Sequence, residues 1–365
     1  MPLSKIQITD NQVVPNLGRR RLNPNGAMLV SQRATTKATL TNGYNCLDRV
    51  YTYKSHDGVV EESQSTDTPN SEFYNSLKHR VTTADTSIAS AQYHALRWSL
   101  EGNSVSQLGF GTSGAKKVTV SFWVKSSVAG AYGTCLRNLA SNRFNMQAIT
   151  INSADTWEKK SITYTGDTSG TWPKDNTEGL QFQLSQAMGT NYMGTSADTW
   201  VSSPITVSPS NQVNWLATVG NTFYITGLQI EEGSVATEFE HLSFAEEQSL
   251  CQRYFFKTEN TDADYHRYCV LNVDTTTNAR GIYYFPTPMR ASPSLTTVGQ
   301  FANYTGGAIR VCTGVTINPV YDQSAGLGFN DICLLSQTSG SQTVGHAGIL
   351  LANSQASSLS FDAEL

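Results

Sequence analysis

The sequence predicts an all-β protein: a sandwich, then a smaller C-terminal β-sandwich domain, joined by one short helix and preceded by an extended N-terminal arm. Three observations predict it. Between residues 36 and 241, short runs with a two-residue apolar period recur between Gly, Asn, Asp and Pro turns, the signature of a sandwich rather than of helices. Charged residues make up 15% of the 365-residue chain, against about 25% in typical soluble proteins. Ser, Thr, Asn, Gln and Gly fill the difference, which gives poor support to long helices. Finally, a single capped helical stretch at 242–257 interrupts the pattern, and strands resume over 258–365.

The arm spans residues 1–35, where Pro15, Gly18, Pro24 and Gly26 punctuate the chain and no periodicity lasts. Its Lys5, Arg19, Arg20, Arg21 and Arg33 stand against Asp10 alone through residue 33, so this stretch is +4 and leaves −8 for the rest of a chain of net charge −4. An acidic body argues against nucleic-acid binding, which needs clustered Lys and Arg. A subunit-contacting arm is expected, with Arg19, Arg20 and Arg21 as its anchoring residues. The start of the chain has no secretory apolar core and no run approaches 18 apolar residues, so neither export by a signal nor a membrane span is expected.

In the domain at 36–241, Val118, Val120, Phe122 and Val124 alternate with Thr119, Ser121 and Trp123 as a half-buried strand does. Further strands are predicted at 148–152, 160–164, 180–184 and 223–230. The last changes phase at Gly227, where a bulge is expected. Ser243 and Glu246 have the spacing of a capping box and predict a helix over 244–256, burying a stripe of Phe244, Cys251 and Phe255. Beyond it, strands are predicted at 268–273, 281–285, 308–312, 331–335 and 349–351.

Chemical motifs are sparse. Gly109 to Gly114 has the G-x-G-x-x-G spacing, but a strand follows it instead of a helix, so no helix N-terminus exists to hold a pyrophosphate and a turn between strands is expected. The six cysteines show no zinc spacing and are expected as free thiols, with Cys269 and Cys312 acting as small buried hydrophobes. The six histidines are scattered, and adjacent carboxylates such as Glu61 and Glu62 point to opposite strand faces, so neither nucleophilic nor glycosidase chemistry has local support. No cofactor and no metal is implied. Aromatic planes are the more useful groups, because sugar rings stack their C–H faces on them. Trp123, Trp172 and Tyr192 are therefore the candidate glycan-binding residues, while Trp98, Trp157, Trp200 and Trp215 are assigned to structure. The repeated Ala-Asp-Thr-Trp at 154–157 and 197–200 marks two turn-to-strand corners.

Several segments resemble bacteriophage tail-fibre and other virion-surface proteins. FYITGLQIEEGSVATEFE at 223–240, running into EEQSLCQRYF at 246–255, is similar to a junction of that family. So are NPNGAMLVSQR at 23–33, VTVSFWVKSS at 118–127, GDTSGTW at 166–172, NWLATVGN at 214–221, FPTPMR at 285–290 and the final DAEL. NGYNCLDRV at 42–50 departs from the family pattern by placing Val50 where a tryptophan is usual. The resemblance implies a carbohydrate-binding-module jelly roll at 36–241 and a homotrimer. It also implies attachment to other virion proteins of tail or capsid, assembly in the host bacterial cytoplasm, and contact with host surface polysaccharide, without enzymatic turnover, nucleic acid or membrane. The alternatives are a head fibre or capsid decoration protein with no receptor role, a polysaccharide-depolymerising tail spike, and a free bacterial sugar-binding module. Removing residues 1–33 is expected to leave a folded protein that fails to join particles.

Overall fold

A computed structural model describes residues 19–138, 142–195, 197–259, 265–318 and 329–365. The first unit contains β1 (Tyr51–Ser55), β2 (Val59–Ser65), β3 (Ser76–Thr83), β4 (Tyr93–Glu101), β5 (Val118–Ser126), β6 (Gly130–Asn138), β7 (Arg143–Ile151), β8 (Glu158–Tyr164), β9 (Glu178–Met188) and β10 (Thr222–Glu232). One sheet runs Thr36–Lys37, β2, β3, β10, β5, β8. The other runs Trp200–Val201, β7, β6, β9, β4, β1, Gly43–Tyr44. All their pairings are antiparallel, giving the two-layer jelly roll expected.

Alternation decides what each face holds. Val118, Val120, Phe122 and Val124 of the first sheet meet Leu96, Trp98, Leu100, Leu180, Phe182 and Leu184 of the second in one buried core. Each such side chain contributes about 1.5–3 kcal/mol relative to exposure. Strand β10 carries the expected bulge: its register against β5 shifts between Thr226 and Gln229, and Gly227 sits at φ 63°, a conformation that glycine adopts without a Cβ penalty. The Gly109 to Gly114 segment forms the turn before β5. Val50, standing where the resembling family has tryptophan, is buried in the core.

The arm needs correction, because residues 21–33 are built into the sandwich instead of extending from it. β3 covers only the first half of β10, from Thr222 to Ile225. Residues 22–26 satisfy the rest: Leu22 N–H donates to Ile230 O (2.8 Å), Leu228 N–H donates to Gly26 O (2.9 Å), and the Asn23 side chain bonds Leu228 and Ile230. A Cβ at Gly26 would lie 2.1 Å from Leu228 O, so only glycine allows this approach. Leu22, Met28 and Val30 are buried. Residues 1–18, which hold most of the expected arm, lie outside the described residues.

The capping box forms as predicted, with the Ser243 hydroxyl accepting from Glu246 N–H and the Glu246 carboxylate accepting from Ser243 N–H. The helix, α1 (Phe244–Gln252), is shorter than expected because Phe255 already pairs with Asp362 as a strand. Its buried face is also different. Glu247 and Cys251 point inward, Glu247 being turned there by Arg21, while Phe244 is 56% exposed.

The C-terminal unit comprises β11 (Phe255–Glu259), β12 (Arg267–Val273), β13 (Asn278–Met289), β14 (Ser294–Val298), β15 (Phe301–Thr305), β16 (Ala308–Ile317), β17 (Phe329–Thr338), β18 (Ala347–Ala352) and β19 (Ser358–Asp362). Six strands close into a barrel in the order β12, β13, β17, β16, β15, β18, and β11, β19 and β14 form a three-stranded sheet. Closure removes the exposed edges that an open sheet would leave. Phe285, Leu334, Leu350 and Phe361 lie in its core. Cys46, Cys135, Cys251, Cys269 and Cys312 are free thiols, and burial pushes those of Cys269 and Cys312 up to about 12, so they stay neutral.

The two units meet through arginines. Arg49, buried, pairs with Glu364, lies 3.5 Å from the Tyr254 ring and donates to Ser99 O. Arg253 makes a bidentate contact with Glu101 (2.6 and 2.8 Å). Arg290 donates to the backbone oxygens of Asn176, Ala363 and Glu364. Residues 362–365, the resembling DAEL, are thus clamped between the units.

Candidate functional site

The outer face of the second sheet is the most developed surface among the described residues. Residues whose neighbours in sequence face the core turn outward there: Tyr51 and Tyr53 on β1, Tyr93, Arg97 and Ser99 on β4, Gln181 and Gln183 on β9, and Cys135 and Arg137 on β6. The register places Arg137, Gln181 and Ser99 in one row across three strands, and Cys135, Gln183, Arg97 and Tyr51 in the next. Part of the face is capped, because Tyr192, Met193, Val201 and Val207 pack over Ala95, Cys135, Phe144 and Met146. The remainder is a groove of about 400 Å³ lined by Tyr51, Arg97, Ser99, Pro173, Thr177, Glu178, Gln181 and Leu365.

Its floor is polar and ordered. Ser99 Oγ donates to Glu178 Oε2 (2.5 Å), Gln181 Nε2 donates to the same oxygen (2.8 Å) and to Ser99 Oγ (2.9 Å), and Arg97 Nε donates to Gln183 Oε1 (2.8 Å). The buried Glu178 Oε1 and Gln181 Oε1 have no hydrogen-bond partner. Beside the floor, the Tyr53 and Tyr93 rings stack at 3.9 Å, and the Arg97 guanidinium lies 3.2 Å from the Tyr53 ring centre. Burial and a hydrogen bond with Tyr53 push the Tyr93 phenol up to about 12, so it stays neutral and can donate.

The sequence-chosen residues are not brought together. Tyr192 lies on this face, edge-on to Tyr93 at 5.6 Å. Trp123 faces outward from the other sheet, because its neighbour Phe122 fills the core; it sits against Gly227. Trp172 must be corrected. It is buried edge-to-face against Phe110 (4.7 Å) and Trp200 (5.4 Å), with its indole N–H donating to Ser169 O (3.0 Å), and offers no plane to a ligand. Arg21 is corrected likewise: it is buried in an ion pair with Glu247, while Arg19 and Arg20 are exposed. The tyrosines and arginines of the groove were missed in the sequence. The available signal was the polar alternation of Arg97 and Ser99 with Leu96, Trp98 and Leu100.

A second cluster was also invisible in the sequence. His56 and His94 (3.1 Å), His94 and His79 (3.3 Å), and His79 and Glu62 (3.0 Å) form one chain that links the two sheets. Burial works against the Glu62 charge, but hydrogen bonds from His79 and from the N–H groups of Cys46 and Leu47 hold its carboxyl below the usual range. Burial also lowers His94, and burial with the nearby Lys54 lowers His56 to about 4. A base whose folded-state value is depressed stabilises the fold fully above its unfolded value of 6.5, and that stability is lost as pH falls toward the folded value. Urea unfolding is therefore expected to show a loss on the order of 1–3 kcal/mol between pH 7 and 4.5, at about 1.4 kcal/mol per unit of depression. His56→Gln with His94→Gln should flatten that slope. Among the described residues, no three His, Cys, Asp or Glu gather so as to hold a metal ion, and no helix is long and apolar enough to cross a membrane.

No family model and no curated protein matches the chain. Several solved structures do. One is the enzymatically active domain of tailspike protein 4 of bacteriophage CBA120, at 10% identity and TM-score 0.33, over 58% of this chain and only 21% of that one. Others are the family 11 carbohydrate-binding module of Clostridium thermocellum in complex with a β-1,3-1,4-mixed-linked tetrasaccharide, at 15% identity and TM-score 0.28 over 57% and 99%, and the module TmCBM61 in complex with β-1,4-galactotriose, at 7% and 0.28 over 59% and 100%. Likenesses this distant say nothing of ligand, so the functional reading rests on the groove.

Proposed function

We propose that this protein is a structural component of a phage virion surface that holds host-surface glycan in the groove of its second sheet. The observation that carries the glycan reading is the groove itself: an open cleft with a hydrogen-bonded polar floor and the Tyr51 ring in its lining, beside the capped part of the same sheet face. Hydroxyls of a sugar need such convergent donors and acceptors, and its C–H faces need the rings. The virion setting is supported by the resembling segments, which run from residue 23 to residue 365. Three copies in one closed assembly would add weak single-site contacts through effective concentration. The reading is one of binding: retaining and inverting glycosidases usually work with two facing carboxyls, and the groove lining contains one acidic side chain, Glu178.

The test is electrophoresis through gels carrying bacterial surface polysaccharides. Tyr51→Ala with Gln181→Ala is expected to weaken retardation at least tenfold, the equivalent of about 1.4 kcal/mol, with the fold intact by circular dichroism. Unchanged retardation of that variant would overturn the assignment of the groove.

A further inference from the structure

The groove keeps its buried arginines differently from the helix and the unit junction, where Arg21 and Arg49 lie. Arg21 and Arg49, both buried, are each paired with a carboxylate, Glu247 and Glu364. Arg97, 8% exposed, and Arg137, 6% exposed, are not in an ion pair with any described residue. Both instead donate to one neutral oxygen, Gln183 Oε1, at 2.8 and 3.4 Å, and Arg137 Nε has no partner at all. Tyr53 and Phe144 hold the two guanidiniums by their ring faces, at 3.2 and 5.2 Å. Two like charges sharing one acceptor are costly to bury unless an anion completes them.

On the assumption that the groove takes glycan, we infer that its ligand is an acidic polysaccharide, whose uronate carboxylate is read by Arg97 and Arg137. Arg97 lines the groove, and Arg137 lies one strand beyond Gln181 in the row that forms its floor. A planar carboxylate matches the guanidinium fork with two parallel hydrogen bonds, and shape as well as charge then selects it. Glu178 is the opposing charge on this face and favours both cations, but its Oε2 is held by Ser99 and Gln181 and it is one carboxylate against two guanidiniums. Burial, and then the charge of Arg137, lower Arg97 to about 10, so both groups stay cationic at neutral pH and a bound carboxylate would relieve their repulsion. The chain's net charge of −4 opposes indiscriminate retention of polyanions, so binding would have to be local.

The experiment uses the full chain and a panel of polygalacturonate, alginate and hyaluronate, each tested by affinity electrophoresis and calorimetry beside the same polymer after carboxyl reduction. At least one acidic polymer should bind tenfold or more tightly than its reduced form. Arg97→Gln with Arg137→Gln should erase that preference, and Arg97→Lys, which keeps the charge but not the fork, should recover only part of it. Equal binding of native and reduced polymers, or a preference that survives the double substitution, would overturn the acidic ligand and leave the glycan reading standing. Binding to none of the polymers, native or reduced, would overturn both.

Discussion

Deleting residues 1–33 is expected to abolish folding, contrary to the folded product that the sequence suggests, whereas deleting residues 1–18 should leave the unfolding transition in place. The difference lies in what residues 21–33 cover. They supply the backbone partners for Leu228 and Ile230, bury Leu22, Met28 and Val30, and provide the Arg21 guanidinium, the only ion-pair partner of the Glu247 carboxylate among the described residues. Losing large core side chains costs roughly 2–5 kcal/mol each, and stranding a buried charge costs about 3–5 kcal/mol. Together these match or exceed the 5–15 kcal/mol or so by which domains are stable. Circular dichroism melting of the two truncations checks this, and a cooperative, wild-type-like transition in the longer deletion would contradict the described packing. An assembly assay for the anchoring role must therefore use the shorter deletion, or Arg19→Ala with Arg20→Ala.

Glu364→Ala should destabilise the protein by about 3–5 kcal/mol, the usual cost of removing one partner from a buried pair. Burial works against the Arg49 charge, and chiefly the Glu364 carboxylate outweighs it to raise Arg49 above its ordinary value. Without Glu364 the guanidinium is left with Ser99 O and the Tyr254 face, and Arg33 loses one of its carboxylate partners. Because Leu365 lines the groove, the same change should also weaken polysaccharide binding. Guanidinium unfolding and gel retardation of one variant read both effects. Loss of stability without any change in retardation would separate the junction from the groove.

How much of this was legible in the sequence depended on whether the signal was local. The β5 alternation, the Gly227 bulge and the Ser243–Glu246 box are each written within a few residues, and all three appear where expected. The helix end was misplaced because Phe255 pairs with Asp362, 107 positions away, and no local pattern records that partner. The arm was misjudged for a related reason. Glycine and proline mark irregular backbone, yet Gly26 is there to let the chain approach β10 closely. Choosing glycan residues by aromatic size favoured tryptophan, and size is also what drives Trp172 into the core. The groove is joined by sheet register, which brings β1, β4 and β9 side by side, and the histidine chain by the packing of one sheet on the other.

Ligand is proposed to enter on the outer face of the second sheet, in the groove. This proposal is tested most directly by mapping amide chemical-shift changes while titrating the protein with oligosaccharides of a polysaccharide it binds. Perturbations are expected to concentrate at Tyr51, Arg97, Ser99, Glu178 and Gln181, with Trp123 silent. Shifts gathered around Trp123 on the opposite sheet, with the groove unmoved, would contradict it.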